Sequence, residues 1–327
     1  VAIRLADNLT LDPPVFLAPM AGITDLPFRD LVSSFGAGLV VSEMVASQEM
    51  VQAKPGTRER AELGIGLANT SVQLAGRDPY WIGEAARMVE ANGARMIDIN
   101  MGCPAKKVVG GLSGSALLRD LPLALSLIEA VVEAVDVPVT LKTRLGWDDD
   151  LMNAPELARR AEGAGIRMIT IHGRTRCQFY KGCADWAAIR AVKEAVSIPV
   201  VANGDICSVD DARAALAASG ADGVMVGRGT GGRPWLIAEI AAALHGHAAP
   251  VIPEGDDLAD MVRGHYEASL RFYGDDLGKR VIRKHLGWYM DEAGTPPDMR
   301  KRVLSEPDPA RVIDLIPHAL DPVEEAA

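Results

Sequence analysis

What this chain lacks narrows its class before any motif is read. It has no run of apolar residues near the roughly 20 needed to span a bilayer, and its start shows no basic segment followed by an apolar core. Neither a membrane span nor a secretion signal is therefore expected. Its four cysteines, Cys103, Cys177, Cys183 and Cys207, show neither C-x-x-C spacing nor a histidine at zinc-finger distance. That pattern argues against a metal centre and against a disulfide-stapled scaffold, and the thiols read as reduced, in a cytoplasmic setting. Basic residues are in deficit too: 34 Lys and Arg against 44 Asp and Glu leave a net charge of -10. Such a balance disfavours indiscriminate nucleic-acid binding, while a local basic face on an acidic protein stays open. No low-complexity segment stands out, and nothing implies an obligate protein partner.

What is present is an alternation. Short β-type runs occur at Val15 to Ala18, Leu39 to Ser42, Ser71 to Leu74, Met96 to Ile99, Pro138 to Leu141, Met168 to Ile171, Pro199 to Ala202 and Gly223 to Val226. Between them lie amphipathic stretches such as Pro79 to Asn92, Ser115 to Val135, Pro155 to Ala164 and Val209 to Ser219, helical in spacing and often opened by Ser or Pro. Strands that alternate with helices pair in parallel, and eight such units in about 240 residues predict a closed (β/α)8 TIM barrel, an α/β fold, over residues 1–244. The Pro before the fifth and seventh strands fits, because a first strand residue can lack an N–H donor. Residues 245–255, rich in Gly, Ala and Pro, read as a linker. Helical spacing without a strand pattern then predicts a small C-terminal helical domain over 256–327, closed by an acidic, frayed tail at Glu324 and Glu325.

The polar residues that follow the apolar runs carry the chemistry. A barrel enzyme keeps its reactive groups at the C-terminal ends of its strands, and there the sequence puts Gln73, Cys103, Lys142, His172 and Asn203. Cys103 alone would read as a buried structural thiol; its company makes it a candidate reactive group. The Gly-rich turns Asn203-Gly204-Asp205 and Gly227-Arg228-Gly229 follow the last two strands, where barrels form phosphate sites from backbone N–H groups, and Arg228 adds a cation. Tight turns that merely need positive φ would use the same glycines. Lys142 either snorkels to solvent or serves an anionic partner such as a reduced flavin. His172 either donates to a phosphate or carbonyl or satisfies a core hydrogen bond.

Several motifs, taken in order, resemble those of tRNA-dihydrouridine synthases of the bacterial B subgroup. They are Ala18 to Asp25 (APMAGITD), Asp98 to Pro104 (DINMGCP), Leu141 to Arg144 (LKTR), Ile171 to Arg176 (IHGRTR) and Ala202 to Ile206 (ANGDI), and the likeness reaches the tail through Arg283 to Tyr289 (RKHLGWY). The resemblance implies an FMN-dependent enzyme that draws on NADPH to reduce the C5=C6 bond of uridines in tRNA. It implies hydride delivery to uracil C6 from the flavin and a proton to C5 from Cys103, a role that suits a thiol, whose ordinary pKa of about 8.5 leaves it mostly protonated at neutral pH.

By the same resemblance, Pro19, Met20 and Ala21 would line the flavin ring, Gln73 would bond its pyrimidine edge, and Lys142 would stabilise its reduced anion. Asn203, Gly204, Asp205, Gly227 and Arg228 would hold the phosphate, with His172 nearby, and Asn100 would bond the substrate uracil edge. Arg174, Arg176 and Lys181 on the barrel rim, and Arg280, Arg283 and Lys284 on one face of a tail helix, are candidate tRNA contacts. The run Gly229-Thr230-Gly231-Gly232 departs from the family, where Ala and Gln are more usual before Arg-Pro-Trp, and a looser turn is expected there. Two other readings are an FMN barrel that reduces a free small metabolite and a non-catalytic RNA-binding module. The helical tail and the basic run disfavour the first, and the second leaves the Asn100 and Cys103 pair unexplained.

Overall fold

The computed structural model describes residues 2–54, 61–63 and 69–321. Eight parallel strands close on themselves: β3 (Val15–Leu17), β4 (Leu39–Val41), β6 (Thr70–Ala75), β7 (Ile97–Met101), β8 (Val139–Arg144), β9 (Met168–His172), β10 (Val200–Asn203) and β11 (Gly223–Val226). Closure is made by β11 pairing with β3 and by β4 pairing with β6. A short β5 (Val45–Ala46) adds to the rim of β6, and an antiparallel hairpin, β1 (Ile3–Ala6) with β2 (Leu9–Leu11), precedes the barrel. The sequence pattern shows neither of these two small additions.

Local chemistry accounts for the helices. Asp25, Asp78 and Asp120 each accept a backbone N–H of the following turn, and each is followed within two residues by Pro27, Pro79 or Pro122, which tolerates the first helical turn. The stretch predicted as one helix over Ser115 to Val135 is in fact two pieces, a 3-10 turn at Gly114–Arg119 and a helix at Leu121–Ala134. Asp120 breaks the run because its side chain caps the second piece.

Period-two alternation sorts the strand residues into two cores. Outward side chains such as Ile97, Ile99 and Met101 of β7 pack under the helices. Inward ones at the lower end of the barrel, including Phe16, Leu39, Met96, Met168, Val201 and Met225, pack with Ile3, Leu5, Leu9 and Leu11 of the hairpin. Moving up each strand by two residues, the interior turns polar: Met96 gives way to Asp98 and Asn100, Thr140 to Lys142 and Arg144, and Met168 to Thr170 and His172.

Past residues 246–254, which form no regular element, five helices follow: Gly255–Tyr273, Asp275–Val281, Arg283–Glu292, Pro297–Ser305 and Pro309–Leu320. They enclose their own apolar cluster around Val262, Tyr266, Leu286 and Ile316. This segment meets the barrel through aromatic packing of Phe28 on His285, ring centroids 4.5 Å apart, and through a contact of 3.3 Å between His285 Nε2 and the Ile23 carbonyl. The acidic tail expected at Glu324 and Glu325 lies outside the described residues. No described helix is long and apolar enough to cross a membrane.

Candidate active site

At the C-terminal ends of the strands the barrel opens into a cavity of about 830 Å³. Its lining brings together Pro19, Met20, Ala21, Gln73, Asn100, Cys103, Lys142, His172, Asn203, Gly204, Asp205, Gly227 and Arg228, residues far apart in the chain. The expectation that each polar residue ends its strand holds for His172 and Asn203. It does not hold for Lys142 and Gln73: β8 runs on to Arg144 and β6 to Ala75, because the pairs Asn100 with Lys142 and Arg144 with His172 extend the ladder.

Cys103 stands two residues beyond β7, half-buried, without a disulfide, and its backbone is tied at both ends. Its N–H donates to Asn100 Oδ1 at 3.0 Å, and its carbonyl accepts from Ser115 N at 3.1 Å and Ser115 Oγ at 2.9 Å. Gly114 has φ +60, and a Cβ there would lie 2.8 Å from the Cys103 carbonyl oxygen, so only glycine lets the chain close behind the thiol.

Asn100, expected at the substrate, also faces inward along the protein. Its Nδ2 donates to Gln73 Oε1 at 2.8 Å, and Gln73 Nε2 donates to Asp98 Oδ2 at 2.7 Å. Both amides keep one N–H toward the cavity after these bonds. Lys142 Nζ donates to Asn203 Oδ1 at 3.0 Å, and Asn203 Nδ2 donates to the Met225 carbonyl at 2.8 Å. Burial, followed by the nearby Arg144 charge, brings the Lys142 pKa down to about 8. Burial and the surrounding Lys142, Arg144, Arg174 and Arg228 charges push His172 well below its ordinary value, so a neutral imidazole faces the cavity.

Three expected contacts read differently in space. Arg174 is 1% exposed; its guanidinium binds the Asp205 carboxylate and the carbonyls of Lys181 and Gly182, so it is an internal brace and not a surface cation for tRNA. Asp205, expected among the phosphate ligands, also accepts from Ala184 N and from Arg228. Burial alone would raise its pKa, yet the Arg174 and Ala184 bonds and the Arg174 and Arg228 charges hold it below the usual carboxylate range. A carboxylate kept ionised repels phosphate, so its side chain serves to aim Arg228, and only its backbone N–H is left for an anion. Arg176 is half-buried, with its guanidinium 4.9 Å from the Trp147 ring, which Arg119 also approaches at 4.8 Å; Lys181 is exposed.

The turn after β11 is not loose. Thr230 is fully buried and donates to the Gly227 carbonyl. A Cβ on Gly229 would lie 2.6 Å from the Ile206 carbonyl oxygen, and one on Gly231 would lie 2.9 Å from Trp288 of the tail. The glycines that depart from the family pattern are the residues that let this turn press against its neighbours. In the tail, Arg280, Arg283 and Lys284 are all exposed, but Ile282 separates them into two helices. Lys284 Nζ reaches back to the β3 loop, 3.5 Å from where a Cβ on Gly22 would stand.

Reading the sequence did not single out Asp98, Arg144 or Tyr180. Arg144 donates to the carbonyls of Gly102, Thr175 and Phe179, and it lies with Arg228 against the exposed Tyr180 ring, at 5.5 and 5.2 Å. The signal was the inward alternation itself, which places positions 98, 100, 142 and 144 on one face.

Comparison with known proteins agrees with this arrangement. The model of the family described as "Dihydrouridine synthase (Dus)" matches residues 16–307. The chain is 62% identical over 322 residues to a "Probable tRNA-dihydrouridine synthase" of Rhodobacter capsulatus, covering 98% of each. It is 52% identical to a protein of the same name in Rhizobium leguminosarum bv. phaseoli, covering 94% of this chain and 95% of that one. A "tRNA-dihydrouridine synthase B" of Vibrio cholerae is 48% identical, covering 87% and 88%. Among solved structures, histamine dehydrogenase from Rhizobium sp. 4-9 superposes with a TM-score of 0.56 at 15% identity, over 81% of this chain and 50% of that one. A 2-naphthoyl-CoA reductase complex does so at 0.58 and 14%, over 74% and 52%; at such identities the likeness is one of fold. With the sequence match running through barrel and helical segment alike, this chain belongs to the dihydrouridine synthase family.

Proposed function

We propose that this protein reduces the C5=C6 bond of uridines in tRNA to give dihydrouridine, with flavin mononucleotide as resident cofactor and NADPH as reductant. The observation that carries the reading is the cavity at the strand ends, where one tethered thiol, two amides and a buried lysine converge, in a chain whose relatives bear the name of this activity.

The residues fit a flavin mononucleotide. The cavity lies within the range of roughly 300–1,000 Å³ usual for ligand sites. Pro19, Met20 and Ala21 offer an apolar wall on one side, and Gly204, Gly227 and Gly229 leave backbone N–H groups uncovered beside Arg228 at the other. Lys142 spends one N–H on Asn203, and its ammonium retains donors for an anionic ring edge. The chemistry such a flavin supplies when bound is hydride transfer to carbon, and the remaining steps fall to the chain.

Cys103 holds the proton that completes the saturated bond, delivered to C5 of the uracil. The Asn100 and Ser115 bonds fix its backbone, so the thiol is aimed without side-chain help. Gln73 and Asn100 present amide groups to the edges of the two planar rings. Neutral His172 donates or accepts beside the phosphate without adding charge, and Asp205 aims Arg228 at it. Lys181 on the rim and Arg280, Arg283 and Lys284 on the helical segment supply the cationic surface for the RNA backbone. The test is direct: protein, NADPH and unmodified tRNA are incubated, and the digested nucleosides are weighed. A gain of two hydrogens on uridine, absent without protein, is expected; an unchanged nucleoside pool would contradict the reading.

A further inference from the structure

The strand register aligns Gln73 of β6, Asp98 of β7 and Thr140 of β8 in one inward row, with Asn100 one layer higher. Hydrogen bonds run through the row without a gap. Thr140 Oγ1 donates to Asp98 Oδ1 at 2.6 Å, Gln73 Nε2 to Asp98 Oδ2 at 2.7 Å, Asn100 Nδ2 to Gln73 Oε1 at 2.8 Å, and Cys103 N to Asn100 Oδ1 at 3.0 Å. Asp98 is 5% exposed, at the boundary where the barrel interior turns from apolar to polar.

The direction of this chain is not free. A carboxylate can only accept, so Gln73 must turn its NH2 toward Asp98 and its oxygen toward Asn100. Asn100 must then turn its NH2 toward Gln73, which leaves its oxygen facing the N–H groups of Gly102 and Cys103, and those can only donate. The carboxylate at one end and the two backbone donors at the other demand the same orientation of both amides. We propose that Asp98 is a positioning residue: it fixes the orientation of the Gln73 and Asn100 amides and thereby holds the Cys103 loop in its reactive geometry.

An asparagine at 98 that turns its NH2 to Gln73 would invert the chain: Gln73 would show its NH2 to Asn100, and Asn100 its own to the Cys103 N–H, donor against donor. A carboxylate moved to position 100 satisfies the inverted chain, because it accepts from Gln73 and from Cys103 together. Asp98→Asn and Asn100→Asp should therefore each be harmful and each rescue the other.

The inference rests on the proton-donor reading of Cys103 for its kinetic effect, and the test separates the two. The single variants and the double variant are compared with the parent for melting temperature, bound flavin, peptide-mapped iodoacetamide alkylation of Cys103, and single-turnover oxidation of reduced enzyme by tRNA. Each single variant should slow tRNA turnover by about 10- to 100-fold, the scale of a misplacement near 1 Å, with KM for tRNA little changed. Cys103 alkylation, which needs neither flavin nor tRNA, should accelerate several-fold as the loop loses its cap. The double variant should recover most of both effects. If one single variant does not fold, the other and the double variant still decide: rescue supports the proposal. Losses that multiply in the double variant, or parent-like Asp98→Asn alkylation and turnover, would overturn it. A failed proton-donor reading would show itself elsewhere, as parent-like turnover of Cys103→Ala.

Discussion

Lys142 Nζ sits 3.0 Å from Asn203 Oδ1, a neutral partner, so the ammonium is oriented without being neutralised. The consequence is a group with an unusual titration. Its pKa falls from 10.5 to about 8 on folding. Between those values the unfolded chain carries a proton that the fold does not, so this lysine makes stability rise with pH across that window and costs stability below it. Lys142→Met should therefore raise the urea midpoint of flavin-free protein at pH 7 and remove part of the parent's gain between pH 8 and 10. An unchanged midpoint at pH 7 would show that the ammonium is compensated elsewhere.

Cys103→Ala should keep its flavin and still be bleached by NADPH, because the ring wall and the phosphate loops use other residues. Turnover on tRNA should fall by about 10²- to 10⁴-fold, the usual contribution of a positioned acid. Stopped-flow absorbance separates the two half-reactions, and a tRNA step at the parent rate would remove Cys103 from the chemistry.

The phosphate end of the cavity is tested by Arg228→Ala combined with Gly204→Val. A Cβ on Gly204 would come within 2.8 Å of Ala184 Cβ and His172 Cδ2, and Gly204 has φ +115, so the turn must open. Loss of a charge-assisted contact alone weakens binding by about 10- to 100-fold. The double variant should elute colourless from gel filtration, whereas a fully yellow fraction would put the phosphate elsewhere.

How much of this was legible in the sequence follows from the geometry of a barrel strand. The outward faces are uniformly apolar, so Gln73, Lys142, His172 and Asn203 stood out at the ends of apolar runs, and the eight strands were found in order. Asp98 did not stand out, because Ile97 and Ile99 flank it in the chain while pointing to the opposite face. Arg174 was misread for the same reason. Its neighbour Arg176 in the chain lies toward the surface, but Arg174 turns inward to Asp205, a partner 31 residues away that spacing does not reveal. The tail helix over 280–284 was right in content but broken at Ile282, which is 1% exposed and turns into the tail's own core.

Mild acid should loosen the junction between barrel and tail. Burial brings the His285 pKa from 6.5 down to about 4, and burial pushes His265 well below its ordinary value. As pH falls from 6.5 toward 4 the unfolded chain takes up protons that the folded imidazoles refuse, so stability is lost over that window. Asp25, raised to about 6 by burial, acts in the opposite sense above its unfolded value. His285→Gln should thus flatten the acid limb of the stability profile relative to the parent, measured by urea denaturation from pH 7 to pH 4.5; parallel limbs would count against it.

On the tail, replacing Arg280, Arg283 and Lys284 together with Ala should raise KM for tRNA. Each lost phosphate contact should reduce the magnitude of the log K against log salt slope by about 0.7–0.9. NADPH-driven bleaching should stay at the parent rate. An unchanged slope would assign RNA recognition to the barrel rim near Lys181.

The most direct measurement of the whole reading uses the colour of the protein itself. Purified yellow protein is bleached with NADPH under anaerobic conditions, freed of excess nucleotide, and divided between unmodified bulk tRNA and free uridine. Rapid return of colour with tRNA, matched mole for mole by dihydrouridine and much slower with uridine, is the expected result. Equal recolouring by free uridine, or none by tRNA, would contradict a tRNA-directed reductase.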